Sequence, residues 1–362
     1  MSKIRIGFVG VGGMGQAAHL RNYATNGACE VVAVAELRPK LRAAVMQRYN
    51  IPTGYADHTE MLAKEKLDGI VASQQFTLHG QLIPDLLSYG VPVLTEKPIG
   101  RSREVAEKLV KASKASTGKL YVGYHKRSDP ATLYARQVIA ELRKSGELGR
   151  FKYLRLSMPP GDWVAEGFSF NLNSDEGYPS VAWDPTPAGM DEKTAKDHES
   201  FVNFYIHHVN LMRYLFNEDY EVRYADPAGI VMAVTSASGV PGILEMAPYQ
   251  TTTDWNETAQ AYFERGYVAI ELPAPLAHNR AGKVTVFKDP GQGVPATTTV
   301  PTMPWRHAMR SQADSFVRLC KGEATHLCTA EDALSDILVA DRYIESLKQM
   351  RAAASQSSKA KA

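Results

Sequence analysis

A glycine-rich turn between a short apolar strand and a helix constrains the fold of this chain more than any other feature. The strand is Ile4–Val9, and the turn Gly10–Gly15 has the spacing G-x-G-x-x-G. Gly10 permits a tight turn, Gly12 lets the backbone approach a pyrophosphate, and Gly15 lets the following helix pack close to the strand. The N-terminus of that helix then faces the anion. The turn therefore predicts a dinucleotide-binding unit.

An acidic residue after the second predicted strand supports this interpretation. Glu36 follows Val31–Ala35 and lies 36 − 15 = 21 residues beyond Gly15, where a carboxylate can hold the adenosine ribose. A carboxylate there accepts hydrogen bonds from the ribose hydroxyls and repels a 2′-phosphate, so NAD is favoured over NADP. Arg38 could instead pair with that phosphate, or it could be a solvated charge at the start of the next helix.

The first 124 residues alternate short β-branched runs with amphipathic segments of helical length. This alternation predicts an α/β fold with a doubly wound parallel sheet. The predicted strands are Ile4–Val9, Val31–Ala35, Gly69–Ala72, Pro92–Thr95 and Leu120–Tyr124. The predicted helices between them are Gln16–Thr25, Lys40–Tyr49, Leu78–Ser88 and Arg103–Ala115.

From residue 125 the pattern predicts an α+β domain with a large, mostly antiparallel open sheet. We therefore divide the chain into a Rossmann domain (1–124), a substrate-binding and oligomerisation domain (125–350) and a disordered tail (351–362). The stretch 159–199 is rich in Pro, Gly, Asp and Trp and is too long for a simple connection. It is either a functional loop or lid, or a surface insertion.

Composition excludes several classes of protein. Lys and Arg total 41 against 39 Asp and Glu, which is too balanced for a nucleic-acid-binding protein. The three cysteines, Cys29, Cys320 and Cys328, are widely spaced without a C-x-x-C pair, so they predict reduced core thiols. The sequence shows neither an export signal nor a membrane-spanning run, and we expect a cytoplasmic protein without a membrane partner.

A second cluster, Glu96-Lys97-Pro98, follows the strand Pro92–Thr95. Ligands of open α/β sheets bind at the carboxyl ends of the strands, where this cluster lies. A lysine there can act as the acid or base for a hydroxyl under oxidation, because burial lowers its pKa, and Glu96 can anchor the lysine or a ribose. Taken alone, the tripeptide could equally form an exposed turn before a helix.

A third cluster lies in a segment predicted to be one helix, about 201–216. Asn203, His207 and Asn210 fall at i, i+4 and i+7 and form one polar stripe. His207 and His208 point about 100° apart on a helix and therefore do not chelate one ion, so no metal is predicted. We interpret His208 as a structural histidine.

These motifs, together with Gly123–Pro130 (GYHKRSDP) and Gly146–Gly149 (GELG), resemble the Gfo/Idh/MocA family of glucose-fructose oxidoreductases and inositol dehydrogenases. The similarity extends from Lys3 to about Met350. The resemblance implies a Rossmann domain and an α+β domain whose open sheet forms oligomer contacts and one wall of the site. It also implies oxidoreduction of sugars or polyols with NAD or NADP.

The resemblance also implies roles for individual residues. Lys97 corresponds to the lysine that assists proton transfer, often with a cis bond before the proline that is Pro98 here. The D-x-x-x-H pair of the family corresponds to Asn203 and His207, so an amide replaces the usual carboxylate and the first position cannot take up a proton. His79 matches a recurrent histidine, although Gln75 stands where its companion proline is usual.

We therefore predict a dehydrogenase that moves a hydride between a secondary hydroxyl of a sugar, glycoside or cyclitol and NAD. Two alternatives stay open: a glycosidase or lyase that uses tightly bound NAD for transient oxidation, and a non-catalytic dinucleotide-sensing or sugar-binding protein. A homodimer or homotetramer is expected.

The predicted catalytic residues are Lys97, His207 and Asn203. The predicted cofactor-binding residues are Gly10, Gly12, Gly13, Met14, Gly15, Glu36, Arg38, Ser73, His79, Glu96 and Lys97. The predicted substrate contacts are Tyr124, Arg127, Trp163, Trp183 and His207.

Overall fold

The computed structural model describes residues 2–359 of the chain. The strands are β1 (Ile4–Val9), β2 (Cys29–Ala35), β3 (Thr53–Tyr55), β4 (Gly69–Ala72), β5 (Val93–Thr95), β6 (Leu120–Val122), β7 (Phe151–Met158), β8 (Tyr220–Ala225), β9 (Val231–Ser236), β10 (Pro241–Met246), β11 (Glu257–Phe263), β12 (Gly266–Leu272), β13 (Lys283–Lys288), β14 (Thr297–Thr299) and β15 (Cys328–Thr329). The helices are α1 (a π-helical part, Gly15–Leu20, continued by Arg21–Ala24), α2 (Pro39–Tyr49), α3 (His58–Lys64), α4 (His79–Ser88), α5 (Arg103–Ala115), α6 (Pro130–Ser145), α7 (Glu192–Phe204), α8 (Ile206–Phe216), α9 (Ala308–Cys320) and α10 (Ala330–Lys359).

The described chain divides into two compact units. Unit 1 contains the residues up to His125 together with Glu166–Met190 and Met309–Ile337, and unit 2 contains the remainder. The first boundary lies within one residue of the division predicted after residue 124. The two later segments of unit 1 depart from that division, and no local sequence pattern marks them as part of the Rossmann fold.

Unit 1 confirms the predicted doubly wound α/β sheet. Its strand order is β15-β6-β5-β4-β1-β2-β3, and all neighbours are parallel except β15 and β6. The order reverses between β1 and β4, and such a switch point is where an open α/β sheet leaves a crevice for a ligand. The glycine turn after β1 lies at this position.

The core of unit 1 explains why α9 belongs to it. The ring of Tyr23 packs edge-on against Phe8 of β1 at 5.3 Å and against Phe316 of α9 at 6.3 Å between centroids. Phe8 and Phe316 are both completely buried. Aromatic side chains of this size contribute much of the apolar area that a core removes from water, so α9 completes the core of the sheet.

Unit 2 confirms the predicted α+β domain. Its sheet has the order β14-β13-β12-β11-β7-β10-β9-β8, with antiparallel neighbours except the parallel pair β7 and β10. Buried and half-buried residues alternate along β9, β10 and β11, as expected for a sheet with one face packed on a core. Helices α6 and α8 pack on the buried face.

One predicted helix is wrong in its boundaries, and the predicted disordered tail is helical over part of its length. The segment predicted as one helix, about 201–216, is divided at Tyr205, where φ is −101° and ψ is −6° and the helical hydrogen bonding of α7 ends. The predicted tail is helical from 351 to 359 because it continues α10, and its alanine-rich sequence has a high helix propensity. Residues 360–362 of that predicted tail lie outside the described residues.

Among the described residues, no helix combines the length and the apolar composition that a bilayer crossing requires.

Candidate active site

The glycine turn has the close backbone approaches that its sequence predicts. Gly10 has a φ of +83°, and a side chain at this position would lie 2.2 Å from Nε2 of Gln74. A Cβ on Gly15 would lie 2.7 Å from the carbonyl oxygen of Gly10. The positive φ disfavours any L side chain at Gly10, and the contact with the backbone of Gly10 excludes one at Gly15. The turn therefore holds the N-terminus of α1 close to the end of β1.

Two features beside the turn fit a bound dinucleotide. The hydroxyl of Ser73, which follows β4, is buried and has no hydrogen-bond partner within residues 2–359. Gly13 is exposed and Gly12 and Met14 are half-buried, so a phosphate can reach the backbone of the turn. A buried polar group without a partner is costly, and a ligand at the switch point could supply the missing hydrogen bond.

Glu36 is held in place by four N–H groups. Its Oε2 accepts from the backbone of Val11 at 3.1 Å and from Nη2 of Arg38 at 3.2 Å, and its Oε1 accepts from the backbone and Nε of Arg38 at 3.1 and 2.8 Å. Burial opposes ionisation of Glu36, but these hydrogen bonds outweigh it and lower its pKa. Arg38 is thus not a fully solvated charge, because its guanidinium pairs with Glu36.

Glu96 and Lys97 follow β5, and the peptide bond between Lys97 and Pro98 is cis. Oε1 of Glu96 lies 2.6 Å from Nε2 of His19, and its Oε2 accepts from the backbone of Lys97 at 3.1 Å. Burial opposes ionisation of Glu96, but the hydrogen bond from His19 and the charge of Lys97 outweigh it and lower the pKa to about 2. The carboxylate therefore fixes the backbone that carries the lysine.

His19 is the residue at this site that the sequence interpretation missed. It lies in the π-helical part of α1 and is almost completely buried. Single π-helical turns occur often at functional sites, because they redirect one side chain relative to its neighbours. A histidine in the first turns after the glycines was the available signal, but the π geometry has no simple sequence pattern.

His79 lies behind the segment that carries Lys97. It is completely buried, with Nε2 3.1 Å from the hydroxyl of Thr95 and Nδ1 3.1 Å from the carbonyl oxygen of Ile99. Burial lowers its pKa, which favours the neutral ring. Both nitrogens of His79 therefore contact groups that flank Glu96 and Pro98, and the residue supports this segment.

The predicted substrate contacts have different surroundings. Tyr124 is buried in unit 1, whereas Trp183 of the same unit is 57% exposed. In unit 2, Trp163 is 40% exposed, and the guanidinium of Arg127 lies over the ring of Tyr214, 4.4 Å from its centroid. Exposed tryptophans can pack on the C–H faces of a sugar, whereas the buried Tyr124 can at most support such a site.

The predicted polar stripe is not on one helix, because Asn203 lies in the last turn of α7 and His207 in the first turn of α8. Asn203 is exposed and His207 is half-buried.

His208, in contrast, is buried, and its Nε2 lies 2.8 Å from Oε1 of Glu257. The other oxygen of Glu257, Oε2, accepts from Nζ of Lys126 at 2.5 Å. Burial opposes ionisation of Glu257, yet Lys126 and His208 lower its pKa to about 2. His208 thus belongs to a buried polar cluster, as its interpretation as a structural residue predicts.

Comparison with known proteins agrees with this geometry. Residues 4–124 match the GFO_IDH_MocA family model, described as an oxidoreductase family with an NAD-binding Rossmann fold. The chain therefore has, at residues 4–124, the NAD-binding Rossmann domain of the Gfo/Idh/MocA family. It is 24% identical over 353 residues to the rhizopine catabolism protein MocA of Rhizobium meliloti, with 96% of both chains covered. It is 20% identical to the inositol 2-dehydrogenase of Rhizobium meliloti strain 1021, covering 96% of this chain and 98% of the relative.

The fold of the chain is also found among solved structures. One is an oxidoreductase from Agrobacterium radiobacter in complex with NAD⁺, L-tartaric acid and magnesium, with a TM-score of 0.68 and 15% identity over 96% of this chain and 97% of that one. This likeness shows the fold, and the family match of residues 4–124 identifies the N-terminal domain as the NAD-binding Rossmann fold of an oxidoreductase family. Gly10–Gly15, Ser73 and Glu36 are the residues of this chain that fit the cofactor.

Proposed function

We propose that this Gfo/Idh/MocA protein is a dehydrogenase that oxidises a secondary hydroxyl of a sugar, glycoside or cyclitol with NAD. The observation that carries the proposal is the lysine at the carboxyl end of β5, in the same parallel sheet as the glycine turn after β1. When NAD is bound, its nicotinamide accepts the hydride from the carbon that bears the hydroxyl. The residues of this chain must then bind the hydroxyl and remove its proton.

Lys97 is the proposed acid–base residue. Hydride removal from a carbinol requires that the hydroxyl proton leaves, and a positioned amine can accept it. The backbone of Lys97 is fixed by Glu96, and Glu96 is fixed by His19, so the lysine starts from a defined position. A defined position matters because proton transfer requires hydrogen-bond contact with the substrate oxygen. His19, Glu96 and His79 are then positioning residues.

His207 is the proposed second polar contact of the substrate. An imidazole can donate to or accept from a hydroxyl, and its ordinary pKa lies near neutrality. Asn203 can hydrogen-bond a hydroxyl but cannot take up a proton, so we give it a binding role only. Arg127, Trp163 and Trp183 are proposed to contact the sugar, and Tyr124 to support the site.

The direct test is a screen of the purified protein for NADH formation with monosaccharides, glycosides and inositols. Steady NADH accumulation with at least one of them is the expected result. Release of a cleaved product without net NADH would instead identify a glycosidase or lyase that returns the hydride to its substrate. Binding of NAD and sugar without either reaction would identify a sensing or binding protein.

The preference for NAD rests on Glu36 at the end of β2. Removing its carboxylate should weaken NAD binding by about 1–3 kcal/mol for each charged hydrogen bond to the ribose that is lost. Titration of NAD and NADP into the wild type and Glu36→Ala measures this effect. A wild type that prefers NADP would contradict the assignment and make Arg38 the selector.

A further inference from the structure

The segment 166–190, part of the stretch predicted as a lid or insertion, is attached to the starts of three helices of unit 1. At α1, Gln16 exchanges hydrogen bonds with the backbone of Leu172, at 2.9 and 2.8 Å. At α2, the carboxylate of Glu176 accepts from two backbone N–H groups, both at 3.0 Å. At α4, Asp184 accepts from the backbone of Gly80 at 2.7 Å. The first turns of these helices follow the carboxyl ends of β1, β2 and β4, so the segment runs along the ligand-binding edge.

Tyr178 of this segment connects the two loops that flank the glycine turn. Its hydroxyl donates to Oε1 of Gln74, which follows β4, at 3.3 Å. Its ring lies 5.3 Å from the guanidinium carbon of Arg38, which follows β2. Strands β4 and β2 are the two neighbours of β1 in the sheet. Tyr178 therefore lies beside the glycine turn of the predicted dinucleotide site. It is nevertheless 51% exposed.

The guanidinium of Arg38 contacts both Tyr178 and Glu36. It is paired with the Glu36 carboxylate at 2.8 and 3.2 Å, and Glu36 is the residue assigned to the adenosine ribose. The base of an adenosine is bonded directly to its ribose, so a purine whose ribose reaches Glu36 lies within a few ångströms of Arg38. An aromatic ring beside a guanidinium is the type of surface on which nucleobases stack.

We propose that Tyr178 binds the adenine of the dinucleotide by stacking, as a contribution of the segment 166–190 to the cofactor site. This inference rests on the proposed cofactor function. It explains why a large aromatic residue that is tethered at its hydroxyl remains half exposed, since the exposed part of the ring is the contact surface for the base. It also gives the segment a role in cofactor binding, whichever substrate the protein oxidises.

The test uses AMP and nicotinamide mononucleotide as separate probes for the two ends of NAD, with binding measured by calorimetry on the full chain. Tyr178→Ala should weaken AMP binding about 5- to 150-fold, the range that corresponds to loss of one base–aromatic stack. Binding of nicotinamide mononucleotide should not change. Tyr178→Phe should retain AMP binding, because it keeps the ring.

Phe170→Ala is the matched control. Phe170 lies in the same segment, is 58% exposed and has the guanidinium carbon of Arg21 at 5.5 Å from its ring. Its removal should leave AMP binding unchanged. If Tyr178→Ala does not fold, Tyr178→Leu replaces it, because leucine keeps apolar bulk without an aromatic face.

Four results would overturn the stacking proposal. Unchanged AMP affinity in Tyr178→Ala would exclude stacking, and tighter AMP binding by Tyr178→Ala would show that the ring occupies the position of the base. Equal losses for both probes would indicate a general disturbance of unit 1. Failure of the wild type to bind AMP and NAD would refute the cofactor function itself. AMP binding with the expected pattern but no NADH from any polyol would refute only the proposed reaction.

Discussion

At the scale of single residues, Lys97 is the side chain on which the proposed reaction depends most. Lys97→Ala should reduce turnover about 10²- to 10⁴-fold, the usual effect of losing a general acid–base group, while NAD affinity changes little. Steady-state kinetics and an NAD titration measure the two effects. Lys66→Ala, at an exposed lysine of the same unit, is the control. Near-normal turnover of the Lys97 variant would remove this residue from the mechanism.

The two adjacent histidines should respond differently to substitution. His207→Ala should lower turnover with little effect on stability, because the proposed role of His207 is contact with substrate. His208→Ala should lower the free energy of unfolding by about 1.5–3 kcal/mol, since it removes a buried hydrogen bond to the charged Glu257. Turnover and thermal unfolding, measured on both variants, test the distinction. Equal losses of turnover from properly folded variants would contradict the assignment.

Sequence spacing predicted the positions of several site residues but not their partners. Gly10 and Glu36 could be placed because the strand, turn and helix of a nucleotide-binding unit impose a nearly fixed spacing. The pairing of Arg38 with Glu36 could not, because it depends on a side-chain rotamer that the spacing leaves open. The pair of His19 and Glu96 joins residues 77 positions apart in sequence and also depends on the π-helical turn of α1.

At the scale of elements, the start of α6 is a site where stability should depend on pH. The Asp129 carboxylate caps this helix by accepting from the backbone of Ala131 at 2.8 Å, and it also accepts from Gly282 at 3.0 Å. Burial outweighs these hydrogen bonds and raises the pKa of Asp129 to about 6 from 3.8. The folded protein then binds this proton more tightly than the unfolded chain. The resulting stabilisation is complete below pH 3.8 and is lost as the pH rises through about 6.

Asp129→Asn should remove this dependence. The amide oxygen of Asn can accept from both backbone N–H groups, because Oδ1 of Asp129 already accepts from both. Relative to the wild type, the variant should gain stability between about pH 4 and pH 7, by at most about 3 kcal/mol. Urea unfolding at several pH values measures this difference. A difference that stays constant with pH would show that Asp129 does not titrate in this range.

The division of the predicted helix at Tyr205 shows the limit of periodicity. The residues from Phe201 to Phe216 have no glycine or proline that would mark an end. The division arises where the backbone of Tyr205 leaves the ideal helical angles, while Phe201 and Ile206 on either side of it are both buried. Tertiary packing therefore decides the break, and a helical pattern of apolar residues cannot reveal it. The five predicted strands of unit 1, in contrast, lie within two residues of their observed ends, because continuous apolar, β-branched runs define them. The short strands β3 and β15 have no such run, and the sequence did not predict them.

At the scale of the whole molecule, the sheet of unit 2 offers a surface for self-association. Tyr153, Tyr262, Tyr267 and Phe287 form a row of half-buried rings across neighbouring strands, with centroid distances of 5.5–6.1 Å. These residues alternate along their strands with buried ones, so they lie on the face opposite the core. We propose that this face forms the contact of a homodimer or homotetramer.

Tyr262→Glu should disrupt that contact, because burial of an unpaired carboxylate is strongly unfavourable. Sedimentation velocity should show an oligomer for the wild type and a shift towards monomer for the variant. Tyr249→Glu, at a tyrosine that is 49% exposed outside the strands, should behave like the wild type. A monomeric wild type would contradict the proposed assembly.

Unit 1 is built from three segments that are far apart in sequence, which affects the order in which the protein can fold during synthesis. The N-terminal segment of unit 1 leaves the ribosomal exit tunnel first. The pair of Phe8 and Tyr23 lacks its neighbour Phe316 until α9 has been made. The N-terminal sheet therefore cannot finish its core while it is the only part of the chain outside the exit tunnel. The capping carboxylates of Glu176 and Asp184 also arrive only after part of unit 2 has been translated. A nascent chain of this kind keeps apolar surface accessible for most of its translation, and chaperones that bind such surface would have the longest opportunity to act on its N-terminal third.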